Sequence, residues 1–295
     1  MSFSRGIVLD FLPNHSQNIN SFQEQVTVIK PPSNSLRFNF AEVYQYRHLI
    51  WNLVRRDIKV QFNQMYLGIF WATVRPLLMM SIFALFKTFS GANLHVPIPY
   101  SVYVYSGLIL WFYFVEATTL TARSLEKNAS LITKVYFPRI ITMIVPGIAS
   151  LYGFSVAILP LVIMMFWQGV YPHWRLIILP VIVIQCMTLV LAVGLIFGSL
   201  SLDSKDFDRL LNQILYLGLY VSPVIFAPGL IPEAGRPIYF LNPMAGILLA
   251  FRSTLFANFP FPVWQWLYSV LATILFLIIG LLIYHKVQAF IADKL

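Results

Sequence analysis

One cysteine, eleven acidic residues and a charged fraction of 11% in 295 residues remove several protein classes at the outset. A soluble domain of this size carries about 25% charged residues, so an ordinary water-soluble fold is excluded. The lone Cys186 lies inside an apolar run, which rules out a disulfide framework and a cysteine metal site; it reads as a core thiol. No Gly-x-x-x-x-Gly-Lys-Ser/Thr occurs, so the chain carries no P-loop of its own. His15, His48, His95, His173 and His285 are scattered, and no pair has metal-ligand spacing. Residues 1–64 contain no apolar signal-peptide core, so no cleavable signal is expected.

What is abundant is hydrocarbon. Hydrophobic residues make up 59%. Runs near 69–90, 102–122, 140–166, 175–200, 211–228 and 264–284 are each about long enough to cross a ~30 Å hydrocarbon core as helices. They are continuously apolar, without the alternation of a membrane barrel. The expected fold is an all-α membrane protein with six transmembrane helices. Between the fifth and sixth, residues 228–263 stay apolar although Pro228, Gly229, Pro232, Gly235, Pro237, Pro243, Gly246, Pro260 and Pro262 punctuate them. That combination predicts two short re-entrant helices at the outer face, because broken backbone is tolerated at depth only when protein or a cavity surrounds it. Gly194-Leu-Ile-Phe-Gly198 predicts a close helix contact.

Charge gives orientation. With the N-terminus inside and six spans, fifteen of the twenty Lys and Arg fall on the cytoplasmic side, as the positive-inside rule requires. Both termini are then cytoplasmic. Anionic headgroups account for the net charge of +9, and no nucleic-acid partner is implied. Residues 1–40 are polar, with Pro31-Pro32, and read as a flexible cytoplasmic leader. Residues 41–64 form an amphipathic interface helix. Arg47, Arg55, Arg56 and Lys59 lie on one side; Val43, Tyr46, Leu49, Ile50, Leu53, Val54 and Val60 lie largely opposite, with Asp57 intruding. Residues 65–295 make up the transmembrane domain. Residues 123–139 read as a polar helix ending at Phe137-Pro138, either gripped by a soluble partner or simply solvated. Asp203 or Ser204 is placed to cap the helix that follows them.

A few residues carry chemistry. Arg75 at membrane depth costs roughly 2.5–3.5 kcal/mol at a helix centre, which it offsets by snorkelling or by holding an anionic group. Glu116 is either its partner or a pore-lining carboxylate. Aromatic residues reach 16%, with Tyr100, Tyr103, Tyr105, Trp111, Phe112, Tyr113 and Phe114 clustered. They make an interfacial belt or a channel wall, with Trp111 to Phe114 deeper, in the core or along a channel.

Five blocks resemble the membrane subunit of ABC-2 type exporters, the permeases of O-antigen, capsule and teichoic acid transport. They are Arg56-Asp-Ile-Lys-Val60; Tyr66-Leu-Gly-Ile-Phe-Trp-Ala72 with Pro76-Leu77; Leu131-Ile-Thr-Lys-Val-Tyr-Phe-Pro-Arg139; Ser222-Pro-Val-Ile-Phe226; and Leu241-Asn-Pro-Met244 with Arg252. The resemblance runs from about residue 45 to the C-terminus. Arg75 departs from it, since that position more often holds a neutral or acidic residue.

The resemblance implies a homodimer in the bacterial cytoplasmic (inner) membrane, bound to two copies of a P-loop ATPase that holds ATP and Mg; this chain binds neither. The implied substrate is a polyprenyl-pyrophosphate-linked glycan. Glu126, Lys127, Lys134, Tyr136 and Arg139 are then expected to dock the ATPase. Arg55, Arg56, Lys59, Leu67, Gly68 and Arg75 are expected at the substrate entrance. Trp111, Phe112, Tyr113, Phe114 and Glu116 are expected along the channel, and Pro223, Asn242, Pro243 and Arg252 at the outer gate. Two other classes compete. An ion-driven secondary transporter would show more intramembrane carboxylates or an internal repeat. A membrane transferase would need clustered Asp, Glu or His at one membrane face.

Overall fold

A computed structural model of the chain describes residues 40–63, 70–91, 96–135 and 137–288. The leader and the expected functional residues Leu67, Gly68 and Tyr136 lie outside the described residues. The described part is helical: α1 (Phe40–Gln45), α2 (Arg47–Asn63), α3 (Trp71–Ser90), α4 (Tyr100–Ala122), α5 (Ser124–Lys127), α6 (Ala129–Lys134), α7 (Ile140–Trp167), α8 (Leu179–Ser201), α9 (Asp206–Val221), α10 (Arg236–Tyr239), α11 (Pro243–Leu255) and α12 (Val263–Gln288). No β-strand occurs among the described residues; one isolated bridge joins Pro172 to Phe256.

Four segments are long and apolar enough to cross a membrane: Trp71–Ser90, Ile140–Trp167, Trp174–Ser201 and Val263–Gln288. The other two expected spans are helical but different in kind. In α4, tyrosines, threonines and serines interrupt the hydrocarbon. Helix α9 stops at Val221 instead of continuing to 228. Pro223 has no N–H to give and disfavours helical geometry in the residue before it, so Ser222 turns extended (φ −90°, ψ 156°). The sixteen residues that remain span about 24 Å.

The centre of the bundle is α4 against α7 and α8, with α12 on the far side of α8. Side chains from Val102 to Leu110 on α4 are buried throughout. Glycine allows the helices this close. A Cβ on Gly198 would meet the Ala122 carbonyl oxygen at 2.8 Å, and one on Gly194 would meet Thr121 Cβ at the same distance. On the other side Gly280 of α12 rests against the Ala192 carbonyl. The Gly194–Gly198 spacing is therefore the seam between α4 and α8. Cys186 is buried within α8, as a packed thiol.

The connecting segments sort into two ends. At one end Ser101 meets Gln168, Asn258 Nδ2 donates to the Pro97 carbonyl at 3.2 Å, and Arg175 donates to the Phe259 carbonyl at 2.9 Å. At the other end are α2, α5, α6, the 202–209 connection and the end of α12, where Arg139 donates to the Gln288 carbonyl at 2.8 Å. Most of the described Lys and Arg gather at this second end, which is the segregation the charge pattern predicts.

Candidate translocation surface and coupling end

The charged end is built on Asp57. The residue intrudes on the apolar face of α2 and is buried, its side chain 9% accessible. An isolated carboxylate there would be costly, so partners surround it. Arg56 Nη2 lies 2.9 Å from Asp57 Oδ1, and Lys127 Nζ lies 3.9 Å from the same oxygen. Arg56 also donates to Asn128 Oδ1 at 2.7 Å, while Asn128 Nδ2 donates to the Ser124 carbonyl at 2.8 Å. These contacts tie α2 to the segment expected to be the docking element. A small crevice of about 120 Å³ opens between them, lined by Asp57, Gln61, Ser124, Lys127, Asn128 and Pro146.

The docking segment is two short helices, α5 and α6, with a break at Asn128. Of the residues expected to dock a partner, three are engaged within the chain. Glu126 pairs with Lys205, Lys127 with Asp57, and Arg139 with the end of α12. Lys134 is exposed. Arg123 grips Asp208 with both arms of its guanidinium, at 3.0 and 2.7 Å. Of the two capping candidates, the Ser204 hydroxyl accepts the Asp206 N–H at 3.3 Å. On α2, Arg55 stacks over Trp51 at 5.0 Å and Lys59 is exposed.

Above this end, α4 changes character. Its N-terminal half is buried, but Phe112, Val115, Glu116, Thr119 and Arg123 form an accessible stripe at helical spacing. Arg75 reaches the stripe from α3, its guanidinium 4.5 Å over the Phe112 ring. Glu116 accepts a hydrogen bond from Gln61 of α2. No ion pair joins Arg75 to Glu116 among the described residues: an aromatic face holds the cation and an amide holds the carboxylate. Both are exposed.

Helix α9 meets the stripe from the other side, through Asp208 on Arg123. It has three faces. Leu211, Leu215 and Leu219 are buried. Leu210, Ile214, Leu217 and Val221 are apolar and exposed. At 100° per residue, Arg209, Asn212, Gln213, Tyr216 and Tyr220 fall within an arc of about 100°, and all five are exposed. Tyr216 and Tyr220 meet edge to face at 6.0 Å. The run of apolar residues near 211–228 predicts only a transmembrane helix here. The signal was present in the polar residues recurring at three- and four-residue steps.

The expected channel aromatics divide. Tyr113 is removed from any exposed wall: it is buried, its hydroxyl donates to the Gly147 carbonyl at 3.1 Å and its ring meets Phe154. Trp111 and Phe114 are also buried; they border an apolar cavity of about 540 Å³ closed by Leu189, Leu211, Met244 and Phe276. Only Phe112 and Glu116 reach the accessible stripe. Tyr100, Tyr103 and Tyr105 make neither belt nor wall; all three are buried.

At the opposite end, residues 228–242 form turns and the four-residue α10, and the buried helix α11 follows. Asn242 caps α11 by accepting the Met244 N–H at 3.0 Å and donates to Ser222 Oγ at 2.9 Å. The expected gate residues Pro223, Asn242, Pro243 and Arg252 are thus brought together around one break in the chain. No cluster of metal-ligating side chains occurs among the described residues.

Comparison with known proteins returns one kind of relative. No family model matches. The chain is 25% identical to the O-antigen export system permease protein RfbA of Myxococcus xanthus, over 74% of this chain and 84% of that protein. Two RfbA permeases of Klebsiella pneumoniae are 29% and 27% identical, each over 77% of this chain and 85% of the relative. Over about three quarters of its length the chain is thus similar, at 25–29% identity, to permease proteins of O-antigen export systems, which supports the resemblance carried by its five sequence blocks.

Proposed function

We propose that this chain is the transmembrane subunit of an ABC exporter that moves a polyprenyl-pyrophosphate-linked, O-antigen-like polysaccharide across the bacterial cytoplasmic membrane. The observation that carries the reading is the polar and aromatic face of α9, beside the accessible stripe of α4. Such an exposed face on an otherwise apolar bundle needs a wet or sugar-filled neighbour. Tyr216, Tyr220 and Phe112 offer rings on which the C–H faces of sugars stack, and Asn212, Gln213 and Glu116 exchange hydrogen bonds with hydroxyls. None of these contacts demands one sugar orientation, which suits a moving chain.

The remaining parts follow the same reading. Helices α4 and α9 cross the membrane alongside the four strongly apolar spans, and both termini are cytoplasmic. Residues 228–255 re-enter from outside. Two copies of the chain face each other across the channel, and each binds one P-loop ATPase, which holds ATP and Mg. Closure of the ATPases pushes on α5 and α6, and the Asp57 network passes that displacement to α2. Arg75 stands at the entrance, a cation on an aromatic face, where the lipid pyrophosphate arrives.

The test is purification of the tagged chain in mild detergent together with the ATPase encoded for the same export system. A stable complex with two ATPases and two permease chains is expected, and Lys134→Glu should weaken it without unfolding the permease. A chain that never retains an ATPase in any detergent overturns the exporter reading and returns the ion-driven transporter to consideration.

A further inference from the structure

Arg252 is the most completely buried cation among the described residues, with no accessible surface and no carboxylate within ion-pair distance. It sits near the end of α11, beside the break that terminates α9. Its guanidinium donates from Nη1 to the Pro223 carbonyl, from Nη2 to the Val224 carbonyl at 2.8 Å and to the Tyr103 carbonyl at 3.1 Å, and from Nε to Ser106 Oγ at 3.4 Å. The Tyr103 ring covers it, 3.7 Å from centroid to Cζ. A planar fork with five donors can serve three carbonyls and a hydroxyl at once; a lysine ammonium on a flexible stem cannot.

Three further features belong to the same arrangement. Tyr103 also uses its hydroxyl, donating to the Phe226 carbonyl at 2.9 Å, so the break is held at both ends. Asn242 holds Ser222 from the start of α11. Gly107 of α4 lies directly beneath the guanidinium: a Cβ there would collide with Arg252 Nη2 and meet Val224 Cα and O at 3.2 Å. The carbonyls of Pro223 and Val224, in the segment that follows α9, therefore find their donor in one side chain, reaching across from α11 into a notch that only glycine leaves open.

We infer that Arg252 is the positioning residue that pins the broken segment 222–226 against α4 in the resting state, and that outward passage of substrate requires this cluster of carbonyl contacts to be exchanged. The inference rests on the reading of this region as the outer gate. A buried cation held by carbonyls rather than by a carboxylate suits a contact that must release, because no full countercharge is left behind when it does.

The experiment uses the full permease with its ATPase, in membranes. Cys186 is buried in α8, so a reporter cysteine replacing Ile225 can be followed with a membrane-impermeant thiol reagent added from outside. In the resting complex the reporter should label slowly, and ATP-driven transport should speed it. Arg252→Lys, which keeps the charge and loses the fork, should raise resting labelling roughly tenfold, through a larger open population. Thermal stability is measured alongside, because a purely structural role would lower the melting temperature without changing the labelling rate of the folded protein. If Arg252→Lys does not accumulate, Gly107→Ala asks the same question with the cation retained and crowded. Unchanged resting labelling in these variants overturns the pin. Labelling that never responds to transport in the unsubstituted protein overturns the gate reading beneath it.

Discussion

Asp57 breaks the apolar pattern of its helix and is held there by charge. On a helical wheel it disrupts the apolar side of α2, and burial there is tolerable only because Arg56 and Lys127 pair with it from two segments, Arg56 being held in turn by Asn128. The pattern revealed an exception; the partner on the other segment, Lys127, 70 residues away in sequence, was not visible in it. Replacing Asp57 by Ala removes the shared acceptor and leaves Lys127 and Arg56 close together without it. The expected cost is about 1–3 kcal/mol of stability. The larger effect should be on coupling: ATP hydrolysis continues while glycan export falls. Parallel measurement of ATPase rate and surface polysaccharide checks this; export and hydrolysis falling in proportion would mean that the network is only structural. Arg75 shows the reverse case. Its position at depth was legible, but that Phe112 rather than Glu116 holds its guanidinium depended on how α3 and α4 meet.

At the scale of elements, the two helices least like membrane spans are the informative ones. Helix α4 is buried in one half and accessible along a stripe in the other, and α9 is short, three-faced and ended by Ser222-Pro223. An apolar tally treats both as two more spans. Their polar residues have a helical period, however, and that period places them on faces. If the α9 face carries sugar, Tyr216→Ala and Tyr220→Ala should each lower export roughly tenfold, about 1.4 kcal/mol of lost stacking. The phenylalanine variants should retain most of it, because the ring does the stacking. Surface glycan per unit of permease gives the answer, and Leu217→Ala on the neighbouring apolar face is the control. An equal loss in Leu217→Ala would assign the effect to packing.

For the whole molecule, the two clustered ends make a prediction about sidedness. Reporter cysteines at Ser130, in α6, and at Asn258, after α11, should label from opposite sides of sealed membranes, with Ser130 reached only from the cytoplasm. Labelling of both from one side would contradict the six-crossing arrangement. The sequence by itself determined the class of molecule: helical, membrane-embedded, with its positive charge gathered on one side. Those properties follow from transfer free energies that depend on composition and periodicity alone. The end of α9 at Val221 was not read from it, although Pro223, inside the run expected to span 211–228, carries the local signal. Tertiary structure alone decided which aromatic residues are core, since Trp111, Tyr113 and Phe114 differ from Phe112 only in the direction each faces around α4. It alone brought Arg252 to the carbonyls of Pro223 and Val224, and opened the space for it at Gly107. Contacts between residues far apart in the chain depend on how helices pack, and neither hydropathy nor helical period encodes that.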